Sequence, residues 1–352
     1  MTLIDSRVES TVVELFDGLK ESGVRYALMR NHESFPRFDH DVDIVMETRA
    51  LPDLRRLAAS VAERRGWDAL TECVHYSQSR YRHHNIETLL FYHLEDNACL
   101  QVDVFHGFLV WGLPFLDEDG LLARRERDAE HGIMRLDPAL ENLLRMLQIH
   151  RLATSGPDSP KVERYRNRAL KFFAEQGVPS NDPAARRLAP FFVRLAASSL
   201  RRGRMRGYRV QMDLARLAFV ARYSVGHPGV AIRLVIARAV DRVRLSYTHQ
   251  CGFVLFARAD DDRRRALLAR ALDALVSSNT IRGWTASGST ARSVRWRERK
   301  VMEQGGIAVK WADAGDVAAI DLARCASDED TRRTIVGLLL RRHRLLWSAI
   351  AS

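Results

Sequence analysis

The chain has 352 residues, of which 46% are hydrophobic and 28% charged, and its net charge is +11 at pH 7. That balance excludes wholesale disorder, collagen and coiled coil, and at roughly 100–200 residues per domain the length predicts two domains or three. No run of about 18 apolar residues occurs, and no basic stretch followed by an apolar core opens the chain, so neither a spanning helix nor a signal peptide is expected.

In chain order, residues 8–22 place Val12, Val13, Leu15, Phe16 and Leu19 at helical spacing, and Gly23 supplies the stop. Residues 24–29 read as a buried strand. After a polar turn containing Pro36, residues 41–46 read as a second. Residues 51–65 are helical up to Gly66. From 67 to 105 aromatic and β-branched residues cluster into strands. Asp137-Pro138 opens a helix, with Asp137 as its N-cap and Pro138 in the first turn, and the helix ends near Leu152. Residues 154–160 are a loop by composition and 161–176 are helical again. Gly177 to Pro183 breaks the chain at an expected domain boundary. Residues 184–224 are helical and very basic, and after His227-Pro228-Gly229 one more helix covers 230–248. From Gly252 the pattern turns to α/β alternation: a strand at 253–256, a helix at 263–276, a surface loop at 283–290, a helix near 295–303, a strand at 307–311 and a final helix at 330–350.

The main chemical signal is Asp41-Val42-Asp43 followed by Gln101-Val102-Asp103-Val104. Side chains alternate along a strand, so Asp41 and Asp43 share a side while Val42 and Ile44 face the core. Asp103 joins that side if its strand is adjacent. Three converging carboxylates repel unless they hold a divalent ion, and an all-oxygen donor set favours Mg²⁺ or Mn²⁺. A carboxylate-held pair of such ions suits in-line nucleotidyl transfer, one lowering the pKa of the attacking hydroxyl and the other neutralising the triphosphate and the leaving pyrophosphate. The plainer reading of Asp-x-Asp alone is a solvated strand edge or turn.

This arrangement, a helix, a strand, a turn, a strand with Asp-x-Asp and a later strand with a third Asp, resembles the nucleotidyltransferase superfamily related to DNA polymerase β. The match covers residues 8 to about 176. Tyr26-Ala27-Leu28-Met29-Arg30-Asn31-His32-Glu33-Ser34-Phe35-Pro36 ahead of Asp41-Val42-Asp43-Ile44-Val45 looks like a bacterial branch associated with surface polysaccharides. That branch has Leu-Arg-Asn or Leu-Arg-Gly where better-known members have Gly-Ser. The resemblance implies that Asp41, Asp43 and Asp103 hold the metal and that Asp103 also acts as the base. It further implies that Arg30 and Asn31 approach the triphosphate, and that Lys161 is a phosphate-contacting basic residue. Met29-Arg30-Asn31 offers side-chain donors where Gly-Ser offers backbone N–H groups. The implied partners are an NTP and a small-molecule or sugar acceptor. Two rival classes are a glycosyltransferase using Asp-x-Asp to hold metal against a nucleotide sugar, and a non-catalytic scaffold of a polysaccharide-assembly complex.

Residues 253–272 have the strand, short loop and helix that frame a phosphate-binding loop. On the working motif G-x-x-x-x-G-K-[ST], Ala257 and Asp262 take the glycine positions, Arg263 the lysine and Arg264 the Ser/Thr position. This half resembles a decayed thymidylate-kinase-type P-loop domain; an unrelated α/β domain is the alternative. Without those glycines, and with Asp260-Asp261-Asp262 repelling phosphate, no kinase chemistry is expected.

His75, His83, His84 and His93 lie between the second and third aspartates, and exposed or hydrogen-bonded strand histidines are the simpler account; an acceptor contact by His93 is the alternative, and nothing in the sequence forces it. Cys73, Cys99, Cys251 and Cys325 stand far apart with no Cys-x-x-Cys, which argues for reduced cysteines in a cytoplasmic protein and against zinc. Arg201-Arg202-Gly203-Arg204-Met205-Arg206-Gly207-Tyr208-Arg209 suits nucleic-acid phosphates, a peripheral contact with an anionic membrane, or the anionic end of a cleft. A solvated helix face is the plainer reading, and no nucleic-acid-binding motif is recognisable, so nucleic acid is not an expected partner. The sequence thus predicts an α/β protein. Residues 1–135 form a nucleotidyltransferase-like α+β domain with a mixed sheet, 136–249 a helical extension, and 250–352 a smaller α/β domain.

Overall fold

The computed structural model describes residues 3–38, 41–74, 86–96, 98–155, 160–248, 253–259, 261–277, 281, 283–287, 298, 301–302, 306–312, 320–341 and 344–349. It is a mixed α/β protein built on two principal sheets. α1 (Leu3–Glu21) forms where the apolar spacing predicts it, and Gly23 takes φ 68°, a conformation that ends a helix at little cost in glycine. β1 (Tyr26–Leu28) pairs antiparallel with β2 (Asp41–Met46), and α2 (Leu51–Arg64) follows. β3 (Ala69–Val74), β4 (Ile86–His93) and β5 (Ala98–Phe105) make an antiparallel run from the stretch rich in β-formers. β5 then lies parallel to β2.

Two hairpins follow that the sequence reading lacks. β6 (Gly107–Val110) pairs with β7 (Leu113–Asp117). After α3 (Glu118–Leu122), β8 (Arg125–Arg127) pairs with β9 (Met134–Leu136), which adds in parallel to β1 and widens the first sheet. The helical layer is α4 (Pro138–Ser155), α5 (Pro160–Glu175), α6 (Pro183–Arg187), α7 (Pro190–Arg201), α8 (Met205–Gly226) and α9 (Pro228–Thr248). Asp137 caps α4 as expected, accepting from the Leu140 N–H at 3.0 Å.

The remaining elements are β10 (Phe253–Arg258), α10 (Asp262–Ser277), β11 (Trp284–Ser287), β12 (Ile307–Trp311), β13 (Ile320–Asp321), α11 (Asp328–Leu340) and β14 (Arg344–Ser348). β11-β12-β10-β13 form an all-parallel sheet. Two expectations fail in this region. The surface loop expected at 283–290 contains β11, which pairs with β12 from Trp284 to Ser287. The final helix expected to reach residue 350 stops at Leu340, and residues 344–348 pair antiparallel with β3. Leu346 and Trp347 pack on the first core, so sheet pairing and burial outweigh helical spacing there. The helix expected near 295–303 lies largely outside the described residues, of which Glu298, Val301 and Met302 are helical.

The first sheet has the order β14-β3-β4-β5-β2-β1-β9-β8, so the last strand of the chain closes one edge of a sheet begun by the first. One face carries Val42, Ile44, Met46, Val102 and Val104 into a core shared with α1 and α2. The other face is covered in two places. Ala27, Val45 and Leu136 pack under the helical layer, while Ala69, Leu90, Tyr92 and Cys99 pack under the second sheet and its helices. Asp41, Asp43 and Asp103 emerge on that face between the two coverings. Among the described residues no helix is long and apolar enough to cross a membrane.

Candidate metal centre

The parallel register sets Asp43 beside Asp103 and Asp41 beside Gln101. One oxygen from each of the three carboxyl groups lies within 4.8 Å of the other two. Asp43 and Asp103 are buried and Asp41 is half-buried. The sequence-predicted trio therefore converges, and it does so because Val42 and Ile44, one position away on either side, are fixed in the opposite core.

Asp103 is held by its neighbours. Thr88, its partner on β4, donates from Oγ1 to Oδ1 at 2.6 Å, and Gln101 Nε2 donates to both carboxyl oxygens at 2.8 and 2.9 Å. Burial, then the charge of Asp43, push Asp103 up to about 7 against the pull of these hydrogen bonds, with Asp41 adding to the push. Burial and the neighbouring charges thus favour the protonated form of Asp103 in the metal-free site.

Arg30 stands just beyond β1, where the Met29 N–H donates to the Asp43 carbonyl at 2.8 Å. Its Nε donates to the Asp43 carboxylate, and its guanidinium lies 5.9 Å from the centroid of the Tyr165 ring on α5. Burial disfavours its charge, but the charge and hydrogen bond of Asp43 raise its pKa above the usual arginine value. Arg30 is thus a counter-ion within the acidic site. Asn31 adopts φ 63°, a left-handed conformation that asparagine tolerates. Its N–H donates to Glu141 Oε1 at 3.2 Å and its Oδ1 accepts from Arg168. Lys161 is the second residue of α5, one turn before Tyr165, and its side chain lies outside the described residues.

Sequence reasoning missed the second polar group beside the trio. Glu141 on α4 is buried, accepts from His32 Nδ1 at 3.0 Å and from Arg145, and sits below the ordinary glutamate value. Burial pushes it up, and His32, Arg145 and the Asn31 N–H outweigh that push. His32 in turn receives Arg135 Nη1 at Nε2, 2.5 Å away. The i,i+4 spacing of Glu141 and Arg145 signals a helical polar pair, but not which surface it faces. Arg30, Asp43, Glu141 and Tyr165, with Phe105 and Leu144, line a cavity of about 30 Å³. That volume admits a water or a small ion.

The other candidates fall elsewhere. His93 ends β4, about 17 Å along the strand from Thr88, and its Nδ1 meets Asp96 Oδ2 at 3.0 Å. His75, His83 and His84 lie outside the described residues. In the phosphate-loop frame, Ala257 lies inside β10 and Asp262 begins α10, so the connection spans only residues 259–261. Asp261 Oδ1 accepts the Arg264 N–H at 2.7 Å, so a carboxylate takes the helix terminus that a phosphate would need. No protein-family model, curated protein or solved structure matches the chain.

Proposed function

We propose that this protein is a divalent-metal-dependent nucleotidyltransferase that moves a nucleoside monophosphate from an NTP to a hydroxyl or phosphate of a small molecule or sugar. The observation that carries the reading is the convergence of Asp41, Asp43 and Asp103 within 4.8 Å on adjacent parallel strands. Carboxylates so close, two of them buried, fit a hard cation, and these three residues would hold Mg²⁺ or Mn²⁺. When bound, such an ion neutralises triphosphate charge and favours the departure of pyrophosphate.

The side chains of this protein supply the rest. Asp103, fixed beside Asp43 and Asp41, is the carboxylate that would take the acceptor's proton. As that proton leaves, the acceptor oxygen bonds to the α-phosphorus and the α–β bridge breaks. Thr88 and Gln101 fix the orientation of the Asp103 carboxyl group. Arg30, beside Tyr165, would be released to pair with phosphate oxygens once the charge of Asp43 is balanced otherwise. Arg168 and Glu141 hold Asn31 and so the turn that carries Arg30.

The ion pair between Arg30 and Asp43 favours one rival, a non-catalytic scaffold in which the guanidinium is the permanent counter-ion. Incubation with labelled NTPs, Mg²⁺ and candidate sugars separates the two. Pyrophosphate release that is lost in Asp43→Ala supports the transferase. Release that persists in Asp43→Ala contradicts the assignment, and calorimetry without metal-dependent NTP binding selects the scaffold. Binding of a nucleotide sugar without any NTP binding points to a glycosyltransferase.

A further inference from the structure

We propose that the outer face of α8 and α9 is a docking surface for an anionic lipid bilayer. Residues 183–248 contain fourteen arginines, no lysine and only two acidic residues, Asp213 and Asp241, a net charge of +12. The whole chain carries +11, so this one helical segment holds the entire surplus and the remainder is close to neutral.

A separate property falls on the same segment. Among the described residues fourteen large hydrophobic side chains are exposed, and ten of them lie on α7, α8 and α9. α8 buries Tyr208, Met212, Ala215 and Phe219 and turns Val210, Leu214, Leu217 and Val225 to solvent, the last 85% exposed. That spacing is one stripe on the side of the helix opposite its buried stripe. α9 buries Ala231 and Leu234 and exposes Ile232, Val235, Ile236 and Val240. Arg206 borders the α8 stripe and Arg233 lies on α9, both exposed. Trp111, at the tip of the β6–β7 hairpin and 41% exposed, has the Arg216 guanidinium of α8 4.7 Å from its ring centroid.

A merely solvated face explains the arginines but not the aliphatic stripes. Duplex nucleic acid would engage the arginines and leave valine, leucine and isoleucine idle, while single strands call for aromatic stacking platforms. A second copy of this chain would bring two surfaces of like charge together. A bilayer with anionic headgroups answers both features. Aliphatic side chains enter the acyl boundary, guanidinium groups meet lipid phosphates, and a tryptophan suits the headgroup level. The helices would lie in the plane of the interface. The inference does not depend on the acidic trio.

The test is flotation of the full chain with phosphatidylcholine vesicles, with and without phosphatidylglycerol. Binding to the anionic vesicles alone, falling as salt rises, is expected. Leu214→Ser combined with Leu217→Ser, both outside the core, is expected to weaken binding at least about tenfold. Arg206→Gln is expected to weaken it about fivefold. Unchanged circular dichroism of the variants excludes misfolding. Three results overturn the proposal: no binding to the anionic vesicles; binding that the leucine pair does not change, which is charge adsorption alone; or a wild-type dimer that the leucine pair dissolves. Competition by a homopolymeric RNA that binds more tightly than the vesicles would also overturn it.

Discussion

Replacing Asp103 by asparagine should stabilise the metal-free protein at neutral and alkaline pH, the gain growing between pH 4 and 7. Asp103 is buried beside Asp43, and its pKa is raised from 3.8 to about 7. At 1.36 kcal/mol per pH unit, holding the ionised carboxylate in that position costs on the order of 4 kcal/mol above pH 7. The direction follows from proton counting. Between pH 4 and 7 the folded state keeps a proton that the unfolded chain has lost, so this group's contribution to stability falls as pH climbs through that window and levels off above it. Asparagine keeps the shape and removes the charge, but its amide must accommodate the donors Thr88 and Gln101 at a cost of about 1 kcal/mol. Urea unfolding with chelator present should therefore show the variant matching wild type or slightly weaker near pH 4, and more stable by about 2–3 kcal/mol at pH 8. A stability difference that stays flat from pH 4 to 8, or a variant less stable than wild type at pH 8, would refute the electrostatic account of the trio.

Mn²⁺ should raise the unfolding midpoint of the wild type, its apparent affinity should increase as pH rises through 7 because the ligands must be deprotonated, and Asp41→Asn should abolish the shift; calorimetry across pH checks both points. At the far edge of the same sheet, Trp347→Ala should cost about 2 kcal/mol in urea unfolding, since Trp347 pairs across from Leu70 and packs into the first core. No loss of stability would mean that β14 does not close the sheet in solution. Deleting residues 342–352 should expose the β3 edge and lower solubility, measurable by static light scattering.

Much of the site was legible in the linear text. Asp-Val-Asp-Ile alternates acidic and apolar side chains, and that alternation alone fixes Asp41 and Asp43 on one face and buries Val42 and Ile44 on the other. The N-cap at Asp137 and the glycine stop at Gly23 are equally local, because each is set by a single residue's hydrogen bonding or backbone freedom. Pairing is different. That β5 lies parallel to β2 with Asp103 beside Asp43 depends on sheet order, which no spacing in the chain encodes. The same holds for β14, whose apolar run fits either a helix or a strand until the open edge of β3 is present. The guanidinium of Arg30 meets the buried carboxylate of Asp43 only in the folded chain, where desolvated opposite charges attract more strongly than solvated ones. Glu141, Arg145 and Arg168 carry no motif. They reach the site only because two helices more than a hundred residues away from Asn31 pack against the turn that it occupies. Local composition chose the elements and the faces they bury; the fold chose which faces meet, and with them the charges that must share one low-dielectric space.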